Sequence, residues 1–533
     1  MKIPQKWNVL IILSLAMFIV VIDTTIMNVA INALVEDLNT TITGVQTAVT
    51  LYALVMASLF ITGSKIGDII GRKKAFIIGL LIYGVGTTMT AFSQNLGMLM
   101  FGWSILEGIG AALMLPILQT LLRGNYSKKD LPLCYGVIGG VAAVGAALGP
   151  IVGGYLTTYH SWRWAFIGEL IIVIIVLAFI KIIKDVAYES PIKPKLDLVG
   201  VFLSIVGLSS IIYGIIQAQT YGFWMAQQPF MINGQEFAPF GLSITPILIF
   251  FGITVLAIFG WWQLRREKNN KAPLIRMSMF KTSGLKPGLT IAFIQSFAQM
   301  SVLFTLPLLL QISFSFDAFE TGVIMLPLSI GLLIASLFGA KLAQTMYPRT
   351  IILIGISLMV VGTFVLLHNI TESLDTTKLW PGLLIIGSAM GLVVSQIINV
   401  ILSLVKPNET GEAASLITTF QQLGTSLGTA IAGTILMISL SASVALQVNG
   451  NEIFTEEQQA TVITATEQGI EFVSNDYVEN ALQDQPENIT NEIISINETA
   501  RIHAIKMTLF AIAIITTFGV IATLYLPRKK LFT

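Results

Sequence analysis

The sequence predicts an all-α membrane protein of fourteen transmembrane helices in a 6+2+6 order, and three observations predict it. The chain is 54% hydrophobic and only 11% charged, with mean hydropathy +0.81, too apolar for a soluble core of 533 residues. Apolar stretches of about 20 residues recur along it, each able to cross roughly 30 Å of hydrocarbon as a helix. A gapless internal repeat sets GSKIGDIIGRKKAFIIG at 63–79 against GAKLAQTMYPRTIILIG at 339–355. Both copies follow a helix that ends at the cytoplasm, so the two halves run parallel.

Span 1 is expected at 9–30; it lacks a small-residue processing site and holds Asp23, so it reads as a retained helix rather than a cleaved leader. Spans 2 and 3, at 44–64 and 74–93, flank the first copy of the repeat. Span 4 at 97–121 contains FGWSILEGIG, which puts Glu107 in an otherwise apolar run. Span 5 at 131–157 carries Gly145, Gly149 and Gly153 at four-residue spacing, a stripe without side chains that lets a neighbouring backbone approach, with Pro150 bending the helix beside it. Span 6 at 163–183 holds Glu169. Spans 7 and 8 follow at 197–218 and 242–264, and spans 9 to 14 at 285–313, 320–341, 350–368, 381–404, 412–440 and 503–526. The repeat joins spans 2 and 3 and then spans 10 and 11, an offset of eight where a six-plus-six duplication gives six. Two helices therefore sit between the halves, giving an N-terminal bundle over 1–185, a linker over 186–284 and a C-terminal bundle over 285–533.

Basic residues set the orientation, because Lys and Arg in short loops stay on the cytoplasmic side. With the N-terminus inside, all of the 30 Lys and Arg except Arg163, Lys378, Arg501 and Lys506 fall in inner segments. Both termini are expected in the cytoplasm. The segment 441–502, rich in Asp and Glu, then lies outside as a solvated surface domain. The lone Cys134 cannot form an intramolecular disulfide, and the net charge of +1 gives no case for nucleic acid. His160, His368 and His503 are too dispersed for a metal site, and none is expected. A membrane enzyme lacks support, for want of clustered histidines, a nucleophile motif or a nucleotide loop; no cofactor is expected.

The stretch GSKIGDIIGRKK at 63–74 resembles the loop between helices 2 and 3 of the major facilitator superfamily. AVGAALGPIVGG at 143–154 resembles the signature of that superfamily's antiporters, and VIDTTIMNVA at 21–30 the first-helix motif of its fourteen-helix drug:proton antiporter family. HSWRWAF at 160–166 and TTFQQLGTSLGTAI at 418–431 add weaker matches. The resemblance implies a major facilitator fold in a bacterial plasma membrane, a monomer working on small molecules and protons in a lipid bilayer. It implies a cytoplasmic gate at Gly63, Gly67, Asp68, Gly71 and Arg72, with Asp68 latching the halves together, and an antiporter helix motif at Gly145, Gly149, Pro150, Gly153 and Gly154. The N-terminal end of span 13 near Gly411 is the expected receptor for Asp68, since a helix dipole favours an anion there. The chain departs from the family at Ser104 and Gln421, where Arg is usual, at Glu169, where Asn is usual, and at Asn32, where Pro is usual.

The intramembrane acids are the most informative residues, because an ionisable group deep in a bilayer is costly and faces a partner or a wet cavity. At 1.5 Å per residue Asp23 falls about 25 Å beyond Lys6, Glu107 about 24 Å from Arg123, and Glu169 about 9 Å below Arg163. An acid held in such surroundings without a basic partner can take up and release protons. Asp23 and Glu107 are read as the proton-coupling and substrate-cation pair, with Glu169 as an accessory acid, lining an interior shared by both bundles. Structural alternatives stay open: Asp23 bonded to the Thr24 or Thr25 hydroxyl, Glu107 a protonated packing residue, Glu169 an interfacial acid near Arg163. Trp103, Met114, Phe293, Phe297, Met300 and Phe304 offer an adaptable apolar wall, with simple packing the stronger reading. The expected function is efflux of lipophilic or cationic compounds in exchange for protons, the alternatives being Na+ or K+ exchange for H+ and export of lipid or other small molecules.

Overall fold

The computed structural model describes residues 7–127, 130–185, 195–226, 228, 230–232, 235–343, 345–371, 374–406, 409–449, 451–460, 462, 472–483 and 486–528. The expected boundary between the N-terminal bundle and the linker lies outside the described residues, as do Gln344 of the repeat and Lys2, Lys6, Lys128, Lys129, Lys193, Lys529 and Lys530 of the basic set.

The first half comprises α1 (Asn8–Val29), the short α2 (Ile31–Asp37), α3 (Ile42–Ile70) and α4 (Arg72–Ala91). A composite element follows, with α5 (Leu96–Leu99) leading into a π-helical stretch at Met100–Glu107 and then α6 (Gly108–Asn125). This half ends with α7 (Leu131–Tyr159) and α8 (Arg163–Phe179). The linker contributes α9 (Leu198–Tyr221) and α10 (Ile244–Lys268), joined through a small hairpin of β1 (Phe230–Ile232) and β2 (Gln235–Phe237), with an antiparallel bridge between Met225 and Leu242 beside it. The second half comprises α11 (Leu285–Leu308), ending in a second π-helical turn at Leu309–Ser313, then α12 (Ala318–Ile324) and α13 (Leu326–Leu342), bent by 44°. It continues with α14 (Pro348–Asn369), α15 (Trp380–Leu404), α16 (Thr410–Val448), α17 (Asn475–Ala481) and α18 (Glu487–Leu524).

Local chemistry sets the boundaries. Thr41, Asn95, Asp197 and Ser243 accept backbone N–H bonds at the starts of α3, α5, α9 and α10, and Asp317 with Glu320 forms a capping box on α12. Gly71 has φ +101°, a conformation that favours glycine, and it separates α3 from α4. Among the described residues twelve helices are long and apolar enough to cross a membrane, or thirteen when the bent pair α12 and α13 is taken as one span. The 29-residue α7, several of whose side chains lie outside the described residues, stands apart from that count.

In the first half α1 packs on α7 and α8, and α4 and α6 pack on each other, α6 also on α3 and α4 also on α8. In the second half α11 packs on α16 and α18, α15 on α13 and α14, and α14 on α18. The halves meet where α3 lies on α16 and α7 on α12 and α13. The linker pair α9 and α10 leans on that seam, with α9 touching both α3 and α16. A continuous core runs from α1, α3, α4 and α6 into α11, α15, α16 and α18, while the basic end of the second half has its own core shared with Phe259, Leu274, Ile275 and Met279 of the linker. Hydrogen bonds joining the halves gather away from the basic end: Gln311 Nε2 donates to the Val29 carbonyl (2.9 Å), the Phe319 N–H to Thr158 Oγ1 (3.0 Å), and Gln46 Nε2 to the Thr429 carbonyl (2.9 Å).

The acidic segment 441–502 is structured where it is described. α16 continues to Val448 and α18 starts at Glu487, and Val448, Phe454 and Ile496 make a small core between them. Arg501, expected at an outer interface, is fully buried and donates to the carbonyls of Ile312 (3.2 Å) and Val473 (2.7 Å) and to Asn475 Oδ1, tying this cap to the end of α11.

Candidate functional site

Four elements of the first half bring the three intramembrane acids together. α1 supplies Asp23, the π-helical stretch supplies Glu107 at its end, and α8 supplies Glu169; one oxygen from each lies within 4.8 Å of the others. α4 runs between them with Tyr83, Thr87 and Thr90, and all three acids are at most 2% exposed. The cluster therefore sits inside the N-terminal bundle, not on a cavity shared by both bundles as the sequence suggested.

The close approach of α4 to the π-helical stretch explains the placement of Glu107. A Cβ on Gly86 would stand 2.7 Å from Glu107 Cγ and 2.7 Å from the Gly102 carbonyl oxygen, and one on Gly110 would stand 2.7 Å from the Tyr83 nitrogen. Only residues without side chains permit this crossing. The π-helical widening re-aims the residues that follow it, a distortion frequent at functional sites.

Each acid has one orienting donor. Trp103 Nε1 donates to both Asp23 oxygens (2.8 and 2.9 Å) while its ring stacks on Tyr52 at 4.9 Å. Thr90 Oγ1 donates to Glu107 Oε1 (3.1 Å), and the Tyr83 hydroxyl to Glu169 Oε2 (3.1 Å). Glu107 Oε2 and Glu169 Oε1 are buried without a partner, and among the described residues no Lys or Arg pairs with any of the three. Arg163, the expected neighbour of Glu169, is taken by Asp37 and by the Ser93 carbonyl (2.6 Å). The Thr25 hydroxyl donates to the Ile22 carbonyl (2.9 Å). Trp103 was legible only as a wall residue, and Tyr83 and Thr90 carried no signal; an indole or hydroxyl facing a buried acid shows only once the helices are packed.

At the basic end Arg72 donates to Asp68 Oδ1 (3.1 Å), the pairing that four-residue spacing allows. Among the described residues Asp68 is bonded to Arg72, and no bond from it to the start of α16 near Gly411 is seen. The start of α16 carries its own acids, Glu409 and Glu412, which pair with Arg276 of the linker at 3.9 and 3.4 Å. Gly63 and Gly67 let α3 lie against Ala112 and Ile117 of α6, and Gly71 makes the turn before Arg72. The stripe on α7 faces two ways. Gly145, Gly149 and Gly153 lie on Val21, Thr25 and Ile26 of α1, whereas Gly154 meets the Ala318 carbonyl and the Pro150 carbonyl meets Gly322, both on α12 of the other half.

Two sets of long apolar helices, meeting along a seam and carrying ionisable groups deep inside one set, are the architecture of a polytopic transporter. The chain belongs to the Major Facilitator Superfamily, whose family model matches residues 13–429. It is similar to the probable actinorhodin transporter of Streptomyces coelicolor (28% identical, 87% of this chain and 78% of that one) and to the multidrug transporter protein MdtP of Bacillus subtilis (24%, 97% and 92%). Among solved structures it resembles a bacterial homolog of the human lysosomal transporter Spinster, inward-facing and unoccupied, at 14% identity and TM-score 0.58, covering 99% of this chain and 98% of that one.

Proposed function

We propose that this protein is a proton-coupled antiporter of fourteen spans, α7 among them, that exports lipophilic or cationic compounds across a bacterial plasma membrane with both termini in the cytoplasm. The observation that carries this reading is the trio Asp23, Glu107 and Glu169, buried in one bundle without a basic partner. Protons entering from outside neutralise the trio, and their release toward the cytoplasm resets the carrier as the two bundles rock about their seam. The bonds Gln311–Val29 and Phe319–Thr158 are ones that rocking must break. Asp68 and Arg72 belong to the cytoplasmic gate, and the glycine stripe with Pro150 to the packing that holds the seam. Relatives named as drug transporters support the substrate class.

The test is proton-driven dye efflux in proteoliposomes. Glu107→Gln is expected to abolish the response to a pH gradient while the protein still inserts and folds. Wild-type pH dependence in that variant refutes the assignment.

A further inference from the structure

We propose that Asp23, Glu107 and Glu169 together bind one dehydrated hard metal cation, Na+ or Ca2+, inside the N-terminal bundle. This goes beyond the proton-coupled reading and does not depend on it, since binding is measured without transport. The geometry is that of a ligand shell. One oxygen from each acid lies within 4.8 Å of the others, a span that a single ion with metal–oxygen distances of about 2.3–2.6 Å bridges.

The donors around the acids are arranged as supports. Trp103 donates to both oxygens of Asp23, while Thr90 and Tyr83 each donate to one oxygen of Glu107 and of Glu169 and so orient the carboxylate, leaving Glu107 Oε2 and Glu169 Oε1 over. Two further side chains, neither of them an acid, face the same place. The Tyr52 and Thr87 hydroxyls are fully buried and make no hydrogen bond of normal length, although Tyr52 lies beside Asp23 and Thr87 beside Glu107. A buried hydroxyl oxygen without a partner is costly, and a cation supplies what both lack. The set is all oxygen, with no Cys or His, which selects a hard cation. Mg2+ fits poorly, because it keeps several waters and this pocket is closed to solvent.

Equilibrium binding of radioactive Na+ and Ca2+ to the purified full-length protein in mildly alkaline buffer tests the proposal, with K+ and Mg2+ as competitors. Saturable binding of one ion per chain is expected for Na+ or Ca2+, resisted by K+ and Mg2+, lost in Glu107→Gln and in Glu169→Gln. Trp103→Phe, which removes only the support for Asp23, should keep the site and weaken it about 10–100-fold. The ion should also raise the melting temperature of the wild type and leave that of Glu107→Gln unchanged, which separates loss of the site from loss of the fold. No saturable binding of either ion, or binding unchanged in both glutamine variants, overturns the site. Ion binding without proton-driven efflux sinks the antiport reading alone, and efflux without ion binding sinks this one alone.

Discussion

At the scale of the residue, the site depends as much on missing side chains as on charged ones. Gly86→Ala sets a methyl group against Glu107 and the Gly102 carbonyl, neither of which can move without disturbing the π-helical stretch. It should lower stability by about 1–3 kcal/mol and slow efflux. Thermal unfolding in detergent together with dye efflux checks this, and a normal value of both would contradict the tight crossing. The three acids were legible in the sequence because a carboxylate in an apolar helix stands out by chemistry alone. Their convergence was not, since distance along each helix gives depth but no azimuth. Asp23 and Glu169, with four spans between them, meet because α1 packs on α8, while α4 is narrow enough at Gly84 for α8 and at Gly86 for the π-helical stretch to close in beside Tyr83.

At the scale of the element, hydropathy placed most helices, because a helix that crosses lipid must be apolar over nearly its whole length, but it missed that α16 runs on to Val448 and that α18 starts at Glu487, where the chain is polar. The π-helical turns at Met100–Glu107 and Leu309–Ser313 left no mark on that pattern, which averages over longer windows. The linker anchor also escaped notice. Asp197, 2% exposed, accepts from the Gly200 N–H, Trp262 and Gln263 and lies 3.4 Å from Arg266 Nε, while Arg276 pairs with Glu412 in half-buried surroundings. Asp197→Asn should therefore cost about 3–5 kcal/mol, and Arg276→Ala, whose pairs are only half-buried, less than that. Denaturant titration ranks the two, and the reverse order would refute this account of the linker. On α7, Gly149→Leu should disturb α1 and Gly154→Leu α12. The first is expected to lower the melting temperature, the second to raise labelling of a cysteine placed at Thr158 in a Cys134→Ser background. Equal effects on both measurements would mean that the stripe has one face, not two.

At the scale of the whole molecule, the internal repeat led to the expectation of two bundles with a pair of helices between them, because duplicated loops fix an offset between the halves. The repeat could not foretell which end of the seam is bonded, since contacts between Thr158 and Phe319 or between Gln311 and Val29 join parts that have no counterpart in each other. Alternating access makes that seam testable. Cysteines at Thr158 and Asp317, whose side chains bond at 3.4 Å, should lock transport under oxidation and release it on reduction. Full transport with the cross-link formed would exclude opening at this end. α18 adds a mechanical consequence. Its 38 residues make a rod about 57 Å long, nearly twice the roughly 30 Å of hydrocarbon, and Arg501 fastens its far portion to the acidic cap. Such a rod is a lever: if the C-terminal bundle tilts as proposed, the tip travels further than the middle, so a single fluorophore on the cap should report each turnover.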